Sequence, residues 1–477
     1  MSFLNWEGEL GAFFRRTDWL TPLILLGLTT WSVLAIYSTN SLKVPDFFAQ
    51  EFARKQLLYV AVSWVAYWGI ALLDVKVFER FAWWLYVGGI ALLLPVAACA
   101  VLGVDIGSFI PNRFGARRWI VLSSFSIQPG EFAKISTLIL LALMAGHGVS
   151  YDRLSWVERK LVNISRELLC LRFWRNMNAP LVSSLPLLVR AGWLVGLPFG
   201  LIFVQPDLGS ALTYIPMAFA LLLIANIPLR FFAFLAVLTL PFAAVLATDM
   251  VQYGRALQTY QMERPAEAAG TDPAEAIRKT HNGLLPIRNY HRERIMTLFA
   301  PQLIDPNGNG KNWQPTQARM AVARGELSGQ GFQQGTLVRL GWLPETAAHN
   351  DFLFSCISEE SGFIGGCSII GLFGLLIALA LRTAAGARDK FGTCLAIGVI
   401  VFAAVHVVVN VGMNIGLMPV TGVSLPFLSY GGSFILSCFL LFGMVQSVHR
   451  SSRPFAVRDT QPAGLSVPTQ LSRRAPV

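Results

Sequence analysis

FGTCLAIGVIVFAAVHVVVNVGM, residues 391–413, contains no Asp, Glu, Lys or Arg and is long enough to cross the hydrocarbon of a bilayer, which takes about 20 apolar residues as a helix. Helix is the form it must take, because an open strand cannot satisfy its backbone in lipid. Outward from this run the same pattern returns at residues 18–38, 56–73, 82–102, 130–147, 186–204, 208–226, 229–247, 351–381 and 424–447. The stretch 351–381 is too long, since as a helix it would extend roughly 46 Å against a core of about 30 Å. Its start, with Glu359 and Glu360, is therefore expected to protrude or to line a wet cavity. The sequence thus predicts an all-α polytopic membrane protein of about ten transmembrane helices, with one large extracytoplasmic loop, residues 248–350, between helices 7 and 8.

Composition agrees. Hydrophobic residues make up 54% and charged residues 14% of the 477, with mean hydropathy +0.54, whereas a soluble domain carries roughly 25% charge. The net charge of +11 does not point to nucleic acid, because the basic residues are scattered through the short connections. They report membrane orientation instead. With the N-terminus inside, the inner connections hold about three times as many Lys and Arg as the outer ones, leaving out the long loop, whose passage is largely indifferent to charge. Both termini are predicted cytoplasmic and residues 248–350 extracytoplasmic. Residues 1–17 carry Glu7 and Glu9 and read as a cytoplasmic N-terminus rather than a cleaved signal. Residues 18–247 hold helices 1–7, residues 351–449 helices 8–10, and residues 450–477, rich in Pro, Ser and Arg, a disordered cytoplasmic tail. The six cysteines suggest neither a disulfide framework nor a zinc site.

Within the inner connection, residues 150–178, Leu154, Val157, Leu161, Ile164, Leu168 and Leu171 recur at spacings of three and four between arginines and Lys160. This is the pattern of an amphipathic helix on an anionic leaflet; a solvated linker helix is the plainer alternative.

Ionisable groups inside spans turn inward and often mark function. Glu131 and Lys134, three apart near the start of the fourth span, share a helical face, as a structural ion pair or as part of a polar headgroup site. Asp207, in Gln205-Pro206-Asp207-Leu208-Gly209-Ser210, reads first as a helix cap. The ninth and tenth spans mix Asn410, Asn414, Thr421, Ser429, Tyr430 and Ser433 with Gly and Pro; tight packing, a wet cavity and a broken helix all fit. In the outer loop, Asp305-Pro306-Asn307-Gly308 reads locally as a turn. Around it Arg288, Arg292, Arg294, Lys311, Arg319 and Arg324 form a basic neighbourhood suited to phosphate oxygens.

Read together, several runs closely resemble the SEDS family of bacterial cell-wall proteins (shape, elongation, division and sporulation). They are Gly115 to Ile120, Gln128 to Lys134, Gln205 to Ser210, Gly325-Glu326-Leu327 with Gly329-Gln330-Gly331, Leu343-Pro344-Glu345 with His349 to Phe352 and Glu359-Glu360, and Asn410 through Ser433. The resemblance spans nearly all of residues 18–449. The closing run Phe442 to His449 looks more like the rod-elongation branch, RodA, than the division branch, FtsW. Gly130 and Asn350 depart from the family pattern, which has serine and threonine there, and residues 148–185 and 264–282 look longer than its norm.

The resemblance implies a peptidoglycan glycosyltransferase that polymerises lipid II during cell elongation and shape maintenance. It implies a class B penicillin-binding protein as partner, and a home in the bacterial cytoplasmic membrane. It assigns the catalytic aspartate to Asp305, the base for the acceptor hydroxyl. Substrate contacts are expected from Arg292, Arg294, Lys311, Glu131, Lys134, Ser429 and Tyr430. No cofactor is certain; the charge on the leaving diphosphate calls for arginines, Lys or a divalent cation such as Mg or Mn. A lipid II flippase and a non-catalytic scaffold for the penicillin-binding protein are the competing readings.

Overall fold

The computed structural model describes residues 16–40, 50–103, 117–122, 125–150, 154–169, 179–263, 289–305, 312–340 and 348–452, with isolated positions between them. In chain order the helices that frame the molecule are α1 (Leu20–Asn40), α2 (Glu51–Leu72), α3 (Val75–Leu102), α4 (Pro129–His147), α5 (Trp156–Leu169), α6 (Ala179–Val204), α7 (Leu208–Leu212), α8 (Tyr214–Ile224) and α9 (Leu229–Glu263). The outer segment then contributes α10 (Asn289–Phe299), α11 (Pro301–Ile304), α12 (Trp313–Arg324) and α13 (Thr336–Arg339). Three further helices close the chain, α14 (Leu353–Gly386), α15 (Lys390–Asn414) and α16 (Gly432–Ser451). A two-stranded antiparallel hairpin, β1 (Ile120–Leu122) and β2 (Phe125–Ile127), pairs Ile120 with Ile127 just before α4.

Position in the bundle follows from how far apolar character extends around each helix. Helix α4 is buried around most of its circumference, and Leu138, Leu140, Leu141 and Ala142 are fully buried where it packs against α3, α6, α8, α15 and α16. Its crossing with α15 is close: a methyl added to Gly146 would lie 2.8 Å from the Phe391 backbone nitrogen, the small-residue contact typical of helices in lipid. Helix α9 is the opposite case, presenting Leu229, Phe234, Val237, Leu238, Leu240 and Phe242 outward, as an outer helix facing hydrocarbon does.

All ten expected stretches are helical over much of their length, and eight described helices are long and apolar enough to cross a membrane. The two that fall short have visible reasons. Helix α2 opens with Glu51, Arg54 and Lys55, and the stretch 208–226 is divided at Thr213 into α7 and α8. The tenth helix starts at Gly432 rather than at residue 424, because the segment with Pro419, Gly422, Pro426 and Gly431 is irregular and largely buried between helices. Irregular backbone at membrane depth is tolerated in that setting. The seventh span does not stop at residue 247: α9 continues to Glu263 and carries the first part of the polar stretch with it. The hairpin has no counterpart in the sequence reading. Of the amphipathic stretch 150–178, α5 covers residues 156–169, and residues 170–178 lie outside the described residues, as do 1–15 and 453–477.

The long span α14 is interrupted at Gly362, whose φ of 67° lies in the left-handed region. The donors released there are met by the segment after α12. Phe363 N–H donates to the Glu326 carbonyl at 2.8 Å and Ile364 N–H to that of Leu327 at 3.1 Å. In return the Glu359 and Glu360 carbonyls accept from Gln330 N–H at 3.0 Å and Gly331 N–H at 2.9 Å. Glu360 also accepts from the Ser38 hydroxyl and, at 3.2 Å, from Gln333 N–H. The start of this helix therefore neither protrudes nor lines a wet cavity as expected: this docked loop covers it, and Glu359 is buried.

Candidate active site

Asp305 is held by a small unit outside the bundle. Met250, Tyr253 and Leu257 of α9, Met296 of α10 and Ile304 of α11 form its apolar core. Asp305 ends α11, its N–H donating to the Pro301 carbonyl at 3.0 Å, next to Ile304, which is 2% exposed. Its Oδ2 accepts from the N–H of Asn312 at 3.2 Å, so the side chain ties the end of α11 to the start of α12. Asp305 is thus a partly exposed carboxylate held at the end of α11; the turn expected after it, residues 306–308, lies outside the described residues.

The unit is braced by Arg292, which donates from Nε to Asp249 Oδ2 at 2.7 Å and from Nη2 to Oδ1 at 3.3 Å. Arg292 is 2% exposed. That geometry corrects its expected role as a diphosphate contact: it faces a buried carboxylate of α9 and supports the frame on which Asp305 stands. Arg294, two residues on, is partly exposed and faces the bundle, beside Gly422.

Opposite this unit, the backbone of residues 349–351 is fixed by the backbone of Tyr430 and the side chain of Ser429 in the irregular segment and by side chains of α15. The His349 carbonyl accepts from Tyr430 N–H at 2.9 Å, and that of Asn350 from Ser429 Oγ at 2.7 Å. The Asp351 carbonyl accepts from the Asn410 and Asn414 amides at 3.1 and 3.0 Å. Ser429 is buried and also accepts from Leu425 N–H at 2.8 Å, which corrects its expected role in substrate contact to one of holding backbone. Tyr430 packs edge-on against Phe52 and beside Tyr59 and His349.

A second polar layer lies deeper. Asp207 caps α7 as expected, accepting from Ser210 N–H at 3.3 Å, and it also accepts from Gln128 Nε2 at 3.2 Å. Arg118 stands 3.6 Å from Asp207 and donates to the Gln205 and Pro206 carbonyls. Glu131 and Lys134 form an ion pair of 2.8 Å, both almost wholly buried. Lys134 Nζ also lies 5.5 Å from the Phe402 ring centre and 6.0 Å from that of Phe434. The ion-pair reading of this couple is the one the geometry displays.

The structure thus brings Arg294 and Asp351 together at Gly422 and Arg118 beside Asp207, and places Asp305 on the same unit as Arg294. Lys311 and Arg288 lie outside the described residues. Sequence reasoning overlooked Asp249, Asp351 as a side chain, and Arg118. Asp249 is 43 residues from its partner and carries no local signature. Asp351 and Arg118 stood inside quoted motifs, where an acid and a base flanked by polar residues at span mouths were the available signal.

A family model described as "Cell cycle protein", covering FtsW, RodA and SpoVE, matches residues 18–272 and 276–454. The chain belongs to this family. It is 30% identical over 434 residues to a probable peptidoglycan glycosyltransferase FtsW of Trichlorobacter lovleyi, covering 90% of this chain and 92% of that one. It is 28% identical to the peptidoglycan glycosyltransferase MrdB of Escherichia coli, covering 91% and 96%. Among solved structures, a chain from a peptidoglycan synthase complex that coordinates polymerization and crosslinking shares the fold with a TM-score of 0.58 at 23% identity, covering 91% of this chain and 98% of that one. This is a multi-pass membrane protein of the SEDS type.

Proposed function

We propose that this protein is a peptidoglycan glycosyltransferase that polymerises lipid II into glycan strands, with Asp305 as general base. The observation that carries the reading is a partly exposed carboxylate tied to the start of α12 on a braced unit that also bears Arg294, whose guanidinium faces Gly422 of the bundle. In the reaction Asp305 takes the proton of the acceptor sugar's 4-hydroxyl as that oxygen bonds to the donor's anomeric carbon. The bond from that carbon to the diphosphate breaks, and polyprenyl diphosphate leaves with the electron pair. Base assistance of this kind gives about 10²- to 10⁴-fold. The leaving group needs no acid but does need positive charge, for which Arg294 and Lys311 are the proposed protein groups. A divalent cation, Mg or Mn, is proposed to arrive on the diphosphate and to add to the positive charge that the leaving group needs.

The polyprenyl chain is proposed to lie in lipid with its head near Glu131 and Lys134. The protein works in the bacterial cytoplasmic membrane with both termini cytoplasmic, as the distribution of Lys and Arg supports. Its partner is a class B penicillin-binding protein, a reading supported by the synthase complex whose chain shares this fold. Elongation is the proposed cellular task, supported by the run Phe442 to His449.

The test is polymerisation of purified lipid II by the solubilised complex, wild type against Asp305→Ala. Loss of polymer in a variant of unchanged thermal stability supports the base. Wild-type rates in the variant exclude it, and no polymer from a folded wild-type complex turns the reading to a flippase or a scaffold.

A further inference from the structure

Asp351 stands at the bundle mouth on a firmly held stretch of backbone. Its carbonyl takes two amide donors from α15, and the two residues before it are tied by Ser429 and Tyr430. The position of its side chain is therefore set by three neighbouring backbone anchors rather than by its own rotamer alone. Gly422, with φ at +74°, lies beneath it. A methyl built there would sit 3.5 Å from Asp351 Oδ2 and 3.7 and 4.0 Å from the two terminal nitrogens of Arg294, so carboxylate and guanidinium flank one bare patch of backbone.

These two charges belong to different parts of the molecule. Asp351 is fastened to the transmembrane bundle, whereas Arg294 belongs to α10, which shares an apolar core with α11 and so with Asp305. We infer that Asp351 is a positioning residue: through Arg294 it seats the α10–α11 unit on the bundle and so sets where the Asp305 carboxylate stands over the substrate. This rests on Asp305 being the base, but the seating itself is a matter of distance and can be read without catalysis. A displacement of about 1 Å is enough to cost on the order of 100-fold in rate. Asp351→Asn keeps the backbone acceptor and the side-chain shape while removing the charge.

The experiment is a double-mutant cycle with Asp351→Asn and Arg294→Ala in the complex with its partner, with kcat and KM for lipid II measured separately. Alongside it, spin-label distances are taken between a site on α10 and one on α15. The expected result is a fall in kcat of about 10- to 100-fold for Asp351→Asn, KM within about twofold, a broadened or lengthened α10 to α15 distance, and no further loss in the double variant. Additive effects, or an unchanged distance in a folded Asp351→Asn variant, overturn the inference. An Asp305→Ala control separates the two claims: it should leave the distance unchanged, so if it retains activity while Asp351→Asn still loosens the seat, the base assignment fails and the latch stands.

Discussion

Asp249 and Arg292 meet in a two-pronged ion pair at 2.7 and 3.3 Å, with Asp249 wholly shielded from solvent. The pair joins the extension of a membrane-spanning helix to the helix that leads toward Asp305, so its worth can be measured as stability and as activity.

Removing one partner leaves a buried charge alone, which typically costs about 3–5 kcal/mol, whereas replacing both by apolar groups of similar size is often neutral. Arg292→Ala is expected to lower the thermal midpoint and the polymerisation rate together, and Arg292→Met with Asp249→Leu to recover most of both. If Arg292 instead gripped diphosphate, the double variant would regain stability and stay inactive.

Ile304 fixes the residue beside it. Truncating a buried Ile to Ala costs about 2–5 kcal/mol where the surroundings cannot collapse. Ile304→Ala should loosen α11 from Tyr253 and Met250, lowering kcat more than the bundle's thermal midpoint. Hydrogen exchange over residues 296–305 would report the loosening, and unchanged protection there would count against the bracing role.

The deeper couple follows the same logic. Glu131→Gln leaves the Lys134 ammonium buried among Phe402 and Phe434, and Lys134→Met leaves a carboxylate buried. Each single change is expected to destabilise by about 3–5 kcal/mol and Glu131→Gln with Lys134→Met by less. Thermal unfolding in one detergent orders the three, and a double variant as unstable as the sum of the singles would contradict a pairwise role.

In the connection between α4 and α6, Ser155 and Glu158 form a reciprocal cap on α5, and Glu158 receives two bonds from Arg190 of α6 at 2.9 and 2.8 Å. The Arg190 hydrogen bonds, with those of Ser155, hold the Glu158 carboxyl down at about 2. Because the folded value is depressed, the stabilisation is present above the unfolded carboxyl's value of about 4.3 and is lost as pH falls through the folded one. The thermal-midpoint gap between wild type and Glu158→Gln should be full at pH 7 and close between about pH 4 and pH 2; a gap constant over that range would refute the assignment.

Much of the fold was legible because the bilayer reduces it to a question of apolar length, and residues 391–413 answer that question without context. The breaks were less legible. Division at Thr213 and the late start at Gly432 depend on what packs beside those segments, which hydropathy does not encode. In the site, Asp207 was readable as a cap because that chemistry is local. The Arg292 guanidinium was misassigned because closeness in sequence to Asp305 says nothing about Asp249, which approaches from another helix. Ser429 misled for a related reason: a serine in a polar run serves a backbone as readily as a ligand.

At the interruption at Gly362 the Glu326 and Leu327 carbonyls take up the Phe363 and Ile364 donors that the helix gives up. The interruption also divides α14 into two levers about one pivot. Residues 326–331 bond to both halves, to Glu359 and Glu360 before the break and to Phe363 and Ile364 after it, so the segment clasps the pivot from both sides. A methyl at Gly329 or Gly362 would collide with the facing backbone, which keeps that joint too narrow for any residue larger than the hydrogen it now holds.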